Sequence, residues 1–357
     1  MICYREDIEA ALRTPGFDGF QLLDLQDFPG QGTALVGILN AFMESKGLVE
    51  PGRWRRFCSE TVPLALFDRY TWTRSETFEA RVRAAHYGPE TLRDVTPAWT
   101  LRGPDGRTLV TGRLPRTDVP QGRVTDLGRI RCPLDSTPVP ARLSLEIALE
   151  GTPFSNAYDL WCYPDRIAPD PGRVRVARAL DRAAWDALAA GDRVLLLPEP
   201  NALPRAVDGQ FAPEFWNYGM FLKLAEQRNV PPSAGTLGLL IDPNHPALAS
   251  FPTEDHSNWQ WFDLALHAKA LVLDDVTPAV RPIVQVIDNF ERCHRLGLLF
   301  EARVGPGRLM VCTVDLPALQ AKPEARQFLH SLLTYMNSDA FEPTLTLERS
   351  ALEGLFR

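Results

Sequence analysis

Two carboxylates and an amide lie together near the start of the chain. Residues 19–25 are predicted to form a buried strand, and Asp24, Gln26 and Asp27 lie at its end and in the loop that follows. Carboxylate and amide oxygens in such a place can line a ligand pocket as hydrogen-bond acceptors. They can equally fix the loop by accepting hydrogen bonds from backbone N–H groups. Gln31, in the same loop, is a weaker candidate for the same roles.

A second polar and aromatic group occupies residues 253–262, with the sequence TEDHSNWQWF. Trp259 and Trp261 could stack on a sugar ring, because aromatic faces and neighbouring amides suit carbohydrates. The alternative is a capped helix start whose tryptophans pack into the core. The candidate substrate-binding residues are therefore Asp24, Gln26, Asp27, Trp259 and Trp261.

The cysteines and histidines do not follow a catalytic or metal-binding pattern. The six cysteines, at positions 3, 58, 132, 162, 293 and 312, include no CxxC pair, which favours buried free thiols over zinc ligands. Neither Cys293 nor Cys312 has the glycines and the strand-to-helix turn of a nucleophile elbow. The residues His245, Asp255, His256 and His294 match no tight metal motif. We expect no catalytic residue, no metal and no cofactor.

The composition excludes some classes of partner. The chain has 357 residues, of which 45% are hydrophobic and 23% charged, with a net charge of -7. Because it lacks clustered lysine and arginine, we expect no nucleic-acid partner. No apolar run reaches the roughly 18 residues of a membrane span, so we expect no membrane partner. The N-terminus lacks the apolar core of a signal peptide, and the localisation stays open.

The first half of the chain changes pattern once. In residues 1–50, a short helix over 6–12, the strand and a helix over 33–46 form one helix–strand–loop–helix unit. From 52 to 165, short alternating segments between turns predict an immunoglobulin-like β-sandwich. Residues 78–85 alternate strictly between apolar and charged or small side chains, which is typical of a strand with one buried face. The sequence Gly-Pro-Asp-Gly at 103–106 predicts a hairpin turn.

The second half alternates apolar strands with helices. Residues 170–340 therefore predict an open α/β domain, with strands such as 193–197 and helices over 181–190 and 324–335. Glu199 follows a buried strand, where open α/β sheets bind ligands, although this position alone is weak support. Residues 341–357 are predicted to be a tail with a short helix.

Three segments together resemble one enzyme family. Residues 19–34, GFQLLDLQDFPGQGTA, are similar to the last barrel strand and loop of family 2-type glycoside hydrolases, the β-galactosidase-like enzymes. Leu22 and Leu25 occupy the stretch where relatives often have tryptophans. The sandwich lies where that family has its immunoglobulin-like domain. The α/β part resembles a ThuA-like or glutamine-amidotransferase-like domain, of flavodoxin-like type, at residues 193–198, 245–252 and 305–311.

The resemblance implies the C-terminal part of a glycosidase that acts on β-glycosides. The fold is then mixed: the end of a (β/α)8 TIM barrel, the sandwich and a degenerate amidotransferase-like α/β domain. In that family the catalytic glutamates lie on the fourth and seventh barrel strands, which would precede this sequence, so the chain would be inactive alone. The expected partners are a carbohydrate and either an upstream-encoded barrel chain or a second copy of this chain. The parent enzyme could be an exported one.

Two other functions stay open. One is a non-catalytic carbohydrate-binding or oligomerisation module. The other is an independent enzyme in the α/β domain that uses Cys293 and His294. The barrel interpretation also predicts that Leu22, Leu23 and Leu25 lie partly uncovered, because their barrel neighbours are missing from the sequence.

Overall fold

Two compact units make up the structure, a computed structural model that describes residues 1–17, 19–30, 35–209 and 218–356. The units are Met1–Asp165 and Arg166–Arg357, and each has its own apolar core. Within the described ranges, no helix is both long enough and apolar enough to cross a membrane.

The first unit is a sandwich of two sheets. Its strands are β1 (Thr61–Leu66), β2 (Thr71–Thr73), β3 (Thr77–His86), β4 (Leu92–Val95), β5 (Pro97–Arg102), β6 (Thr108–Arg113), β7 (Thr117–Val119), β8 (Arg123–Pro133), β9 (Ala141–Leu149) and β10 (Ser155–Tyr163). One sheet has the order β1–β3–β8, the other has the order β2–β10–β9–β5–β6, and β4 pairs with β7. The pairings are antiparallel except for β2 with β10.

Alternation along the strands builds the core between the two sheets. In β3 the side chains of Phe78, Val82 and Ala84 are fully buried, while the charged side chains between them face outward. In β9, Leu145 and Ile147 enter the same core cluster from the other sheet. The predicted strand over 78–85 is confirmed, and the predicted turn at 103–106 joins the antiparallel pair β5 and β6.

Two helices cover the outer side of the β1–β3 sheet. Helix α1 (Ile2–Arg13) and helix α2 (Pro51–Phe57) share a small core cluster with this sheet. Ile8 and Phe57 are buried there against Val62 of β1. The short helix predicted at 6–12 is confirmed, as part of the longer α1.

The barrel-like unit predicted for residues 1–50 does not form. Residues 19–25 are not a strand, and residues 35–46 are turns with isolated bridges rather than the predicted helix. Residues 31–34, with Gln31 and the start of that helix, lie outside the described residues. A parallel strand needs neighbours on both sides, and the described residues supply only an isolated bridge between Gln26 and Leu39. Leu23 is 81% exposed, because no described strand or helix packs over it.

Local side-chain bonds replace the predicted helix. The Asn40 carboxamide oxygen accepts hydrogen bonds from the N–H groups of Phe42 and Glu44, at 2.9 and 3.0 Å, and so competes with helical bonding. Gly37 packs directly on the backbone before Asp27: an added Cβ would lie 2.3 Å from the carbonyl carbon of Gln26. This close approach therefore requires a glycine at position 37.

The second unit contains one mixed sheet. Its strands are β11 (Val174–Ala177), β12 (Arg193–Leu196), β13 (Ala206–Asp208), β14 (Gly238–Ile241), β15 (Lys269–Val272), β16 (Val284–Ile287), β17 (Leu296–Val304) and β18 (Gly307–Cys312). The main order is β11–β12–β18–β17–β15–β13, and β16 joins β14 to β17. Only β11, β12 and β18 run parallel to one another within the described sheet, and the other pairings are antiparallel. The open α/β pattern therefore holds for one end of the sheet.

Helices cover the two faces of this sheet. They are α3 (Arg182–Ala189), α4 (Tyr218–Arg228), α5 (Phe262–Leu266), α6 (Pro323–Asn337) and α7 (Arg349–Leu355), and the two predicted helices correspond to α3 and α6. α3 starts at Asp181, whose carboxylate accepts a hydrogen bond from the Ala184 N–H at 2.8 Å. α3 and α7 share one core cluster with Phe300 and Ala302 of β17. Tyr335 of α6 contacts Glu301, which alternates with those residues, so α6 covers the opposite face.

The last residues belong to the core rather than to a solvated tail. Phe341 is fully buried, and Leu347, Leu352 and Leu355 join the cluster of α3. Arg303 of β17 and Leu345 are joined by a backbone hydrogen bond of 2.7 Å. The predicted short helix within 341–357 corresponds to α7.

Candidate functional site

Asp27 fixes the N-terminal loop. Its Oδ1 accepts hydrogen bonds from the Gly37 N–H at 3.0 Å and from the Lys46 ammonium at 2.6 Å, and the residue is buried. These contacts correspond to the loop-fixing role that the sequence left open.

The other two candidates of this segment lie beside Asp27. Asp24 has a left-handed backbone, with φ of 64°, and its carbonyl accepts a hydrogen bond from the Tyr4 hydroxyl at 2.9 Å. Burial, together with the carboxylates of Asp24 and Asp27, raises the pKa of Tyr4. The side chain of Gln26 is exposed. A substrate-binding role for Asp24 and Gln26 stays a prediction.

The two candidate tryptophans have different surroundings. Trp261 is fully buried, its indole N–H donates to Thr253 Oγ1 at 2.8 Å, and its ring packs 5.2 Å from Phe251 and 5.3 Å from Phe328. Its faces are therefore occupied by the core. Trp259 is partly exposed and its ring lies 5.7 Å from that of Phe262. Only Trp259 of the pair presents a ring that a ligand can reach.

The thiols do not have the geometry of an activated nucleophile. Cys293 is exposed, has φ of 53°, and donates its S–H to the Phe290 carbonyl at 3.0 Å. It precedes strand β17 instead of leading from a strand into a helix. Its neighbour His294 bonds through Nδ1 to Asp274 Oδ2 at 2.6 Å. Burial raises the pKa of the Cys312 thiol to about 12, which keeps it protonated.

Among the described residues, the four candidate metal ligands do not gather into one group. The exposed His256 pairs with Asp255 at 2.6 Å, while His245 Nδ1 accepts from the Ala247 N–H at 3.2 Å. Among the described residues, no group of three or more histidine, cysteine, aspartate or glutamate side chains is arranged to hold a metal ion.

A pocket of about 620 Å³ opens at the carboxyl ends of β11 and β12. Arg178 directly follows β11, Pro198 follows β12, and α3 and α7 form the walls. Arg349 of α7 lies over the Trp185 ring of α3, with 4.5 Å between the guanidinium carbon and the ring centroid. From the sequence, Glu199 indicated this edge of the sheet as a ligand-binding position, but the arginines that line the pocket were not predicted.

Arg178 is the central charged group of this edge. Its Nη2 lies 3.5 Å from Asp315 Oδ1 and 3.9 Å from Glu199 Oε1. These two acidic residues follow β18 and β12, so the three side chains mark the carboxyl ends of the three parallel strands. Within the described part of the chain, Arg178 Nη1 has no hydrogen-bond partner although it is withdrawn from solvent.

A second buried polar group lies under α6. The Tyr335 hydroxyl donates to Glu301 Oε1 at 3.3 Å, and His245 Nε2 lies 3.9 Å from the same oxygen. Glu301 Oε2 is buried without a partner in the described structure. Burial raises the pKa of Glu301 and lowers the pKa of His245, so both are favoured in their neutral forms.

The unit that contains both groups matches a family model. The model for a domain of unknown function, DUF8487, matches residues 175–357, slightly more than half of the chain. The chain belongs to the DUF8487 family. A second model, for the domain of unknown function DUF8488, matches residues 76–164 of the sandwich. The DUF8487 match includes Arg178, Glu301 and Arg349, so the pocket and the buried Glu301 group both fall within it.

Comparison with other proteins adds weak structural likenesses. No curated protein matches the chain. The sporulation control protein Spo0M of Bacillus subtilis is 11% identical with a TM-score of 0.24, over 29% of this chain and 50% of Spo0M. The β-glucuronidase of Parabacteroides merdae is 12% identical with a TM-score of 0.21, over 39% of this chain and 21% of the enzyme. A Bacteroides fragilis protein described as a β-galactosidase is 13% identical with a TM-score of 0.21, over 38% of this chain and 24% of that protein.

The matched regions span at most half of each of these three proteins. The pocket lies in the DUF8487 match. It can offer guanidinium groups from one strand end and two helices, beside an aromatic wall. Such a set can bind an acceptor-bearing ligand, and it includes neither a thiol nor an imidazole for covalent chemistry.

Proposed function

We propose that the chain is the non-catalytic C-terminal portion of a β-galactosidase-like glycoside hydrolase. Alone it is inactive on β-glycosides. The catalytic carboxylates are supplied by a barrel outside this sequence, and the described residues 17, 19–30 and 35–48, here called the docking segment, are the surface on which that barrel packs.

The supporting observation is the exposure of large apolar side chains along the docking segment. They are Phe17, Phe20, Leu23, Leu25, Phe28, Leu35, Phe42, Met43 and Leu48. Of these, Leu23 and Phe42 are 81% and 83% exposed. Apolar side chains this concentrated on a surface usually mark an interface, because burying each one stabilises the buried state by about 1.5–3 kcal/mol.

The carboxylates of this segment support a non-catalytic role. A retaining glycosidase needs two carboxyl groups about 5–5.5 Å apart across the scissile bond. Asp27 is buried and its Oδ1 accepts from both the Lys46 ammonium and the Gly37 N–H, so this carboxylate is not presented at the surface for that task. The proposal therefore assigns the nucleophile and the acid/base to the docked barrel.

Reconstitution of activity tests this proposal. The purified chain is assayed on a panel of aryl β-glycosides, alone and mixed with the product of any adjacent upstream gene. We expect hydrolysis in the mixture only. Leu23→Ser and Phe42→Ser should weaken the reconstituted activity, while Leu240→Ser, which changes a leucine 52% exposed in the other unit, should not. Activity of the chain alone, or equal effects of all three variants, contradicts the proposal.

A carbohydrate-binding module is the second candidate function. It is favoured by the aromatic pair Trp259 and Phe262, whose rings lie 5.7 Å apart at the surface of the second unit. Two adjacent ring faces suit stacking on a sugar. Binding of galactosides without hydrolysis, weakened by Trp259→Ala and Phe262→Ala, would favour this function. Phe290→Ala, at an aromatic residue 50% exposed, is the matched control.

A further inference from the structure

A histidine ring caps the short 3₁₀ helix Pro246–Leu248. The Nδ1 atom of His245 accepts a hydrogen bond from the Ala247 N–H at 3.2 Å. An imidazole nitrogen accepts a hydrogen bond only when it carries no proton, so the proton of the neutral ring lies on Nε2. Ala247 is fully buried, so water cannot replace the imidazole as the acceptor for its N–H. The cap therefore requires a neutral His245.

Residues 245–250, here called the capped segment, are bound to one side of α6. Ser331 Oγ donates to the Ala247 carbonyl at 2.7 Å and lies 3.2 Å from the Ser250 N–H, from which it accepts. One turn earlier in α6, Gln327 Nε2 donates to the Ser250 carbonyl at 2.5 Å. The hydrogen bonds from α6 and the histidine cap therefore hold the same few residues in place.

Three titratable side chains face His245 from the elements around it. Glu301 of β17 has its Oε1 3.9 Å from His245 Nε2, and the Tyr335 ring of α6 packs edge-on against the imidazole, with 5.4 Å between the ring centroids. Burial lowers the pKa of His245, and the exposed Asp242 raises it by less. Burial raises the pKa of Glu301, which weakens the negative charge that this carboxyl offers to a protonated His245. A positive charge on His245 is therefore disfavoured while the segment is closed.

From this geometry we propose that His245 is a proton-controlled cap that opens residues 245–250 from α6 as the pH falls. A proton taken from water by Nδ1 breaks the hydrogen bond to the Ala247 N–H and leaves two donors facing each other. Opening uncovers Leu248, which is buried in the closed form. This inference is independent of the docking segment and of any glycosidase activity.

Linkage between protonation and opening gives the sign and the size of the effect. The pKa of His245 has its ordinary value of 6.5 when the segment is open and a lower value when it is closed. The closed form is therefore fully favoured above about pH 6.5 and is lost progressively as the pH falls. A proton bound only by the open form changes the opening equilibrium about tenfold between about pH 7.5 and 5.5. Glu301 acts in the opposite direction, because its raised pKa favours the closed form at low pH.

Backbone hydrogen exchange of the full chain tests the inference, when it is followed by NMR and corrected for the intrinsic effect of pH on exchange. In Glu301→Gln, which removes the opposing carboxylate, we expect the protection of the Ala247 amide to fall about tenfold from about pH 7.5 to 5.5. In the wild type the protection should fall in the same direction by a smaller factor.

His245→Asn separates the cap from the titration. The asparagine oxygen can accept from the Ala247 N–H but takes up no proton in this range, so the protection should change by less than about twofold between the two pH values. His245→Ala should lower the protection at both pH values, because it removes the acceptor. His256→Asn, at a histidine whose side chain is 54% exposed, is the matched control and should retain the tenfold change. All three substitutions are combined with Glu301→Gln.

A direct measurement on the wild type keeps the inference testable if a variant fails to fold. NMR of isotope-labelled histidine shows which ring nitrogen carries the proton, and we expect it on Nε2 of His245 at about pH 7.5. Three results would overturn the inference. They are a proton on Nδ1 at that pH, protection of the Ala247 amide that does not fall with pH in Glu301→Gln, and a tenfold change that survives in folded His245→Asn.

Discussion

The Glu9 carboxylate and the Tyr158 hydroxyl form a buried hydrogen bond of 2.9 Å that connects α1 to β10 across 149 residues of sequence. Glu9 also accepts hydrogen bonds from Arg5 Nε and Asn156 Nδ2, each at 2.9 Å. Burial, followed by the Glu9 carboxylate, raises the pKa of Tyr158 well above its ordinary value of 10.0, so the hydroxyl stays a donor. This network attaches the first helix to the sandwich.

Removing Glu9 should therefore destabilise the first unit. We expect Glu9→Ala to lower the free energy of unfolding by about 3 kcal/mol, because it leaves Arg5 and Tyr158 without their buried acceptor. Asp7→Ala, at an exposed position of the same helix, should change it by less than about 0.5 kcal/mol. Urea denaturation measures both values, and a Glu9→Ala loss as small as that of Asp7→Ala would show that the network contributes little.

Asp27→Asn should loosen the docking segment without unfolding the unit. The amide keeps the shape of the carboxylate but loses the charge that holds Lys46. We expect the Gly37 amide proton to exchange about fivefold faster, which corresponds to a local loss of about 1 kcal/mol. Hydrogen exchange followed by NMR reads this directly.

The matched control for that experiment is Asp24→Asn. Asparagine tolerates the left-handed backbone of Asp24, so the substitution should leave the Gly37 exchange rate unchanged. Equal acceleration by both variants would mean that general repulsion in the segment, rather than the Asp27 contacts, sets the rate.

The two tryptophans of the 253–262 segment should respond differently to truncation. Trp261→Ala removes a fully buried ring from contact with Phe251 and Phe328, so we expect a loss of about 3–5 kcal/mol. Trp259→Ala removes a partly exposed ring and should cost about 1 kcal/mol. Thermal unfolding of the two variants compares them, and similar losses would contradict the different burial described for the two rings.

Glu301 should make stability fall as the pH rises from acid to neutral. Burial raises its folded-state pKa above the ordinary value of 4.5, so the folded state holds the proton more tightly than the unfolded state. Its contribution is therefore fully present below about pH 4.5 and is lost as the pH rises through the folded-state pKa. Glu301→Gln removes that loss while it keeps the shape of the side chain.

We therefore expect the free energy of unfolding of Glu301→Gln, relative to that of the wild type, to be higher at about pH 7.5 than at about pH 4. Urea denaturation of both proteins at the two pH values measures these free energies of unfolding. Glu226→Gln, on an exposed position of α4, is the charge-matched control. A Glu301→Gln difference that does not depend on pH would show that the raised pKa of Glu301 has no effect on folding.

The sequence by itself determined the elements whose pattern is local. Strand β3 follows from strict alternation and the β5–β6 hairpin from its Gly-Pro-Asp-Gly turn, and the helix predicted over 181–190 corresponds to α3. Each of these signals acts within a few residues, so no distant partner is needed to recognise it. The apolar run of β12 is also local, so the sequence predicted that Glu199 follows a buried strand at the edge of the sheet.

Only the tertiary structure decided the segments and sites that depend on distant partners. Residues 19–25 have the apolar character of a strand, yet they remain irregular because no described strand pairs with them. Trp261 is a core residue because Phe328 of α6 packs against it. The pocket required Arg178 and Arg349, which lie near opposite ends of the second unit's sequence, to line the same cavity. Pairing, burial and pocket formation are non-local, so residue pattern alone could not fix them.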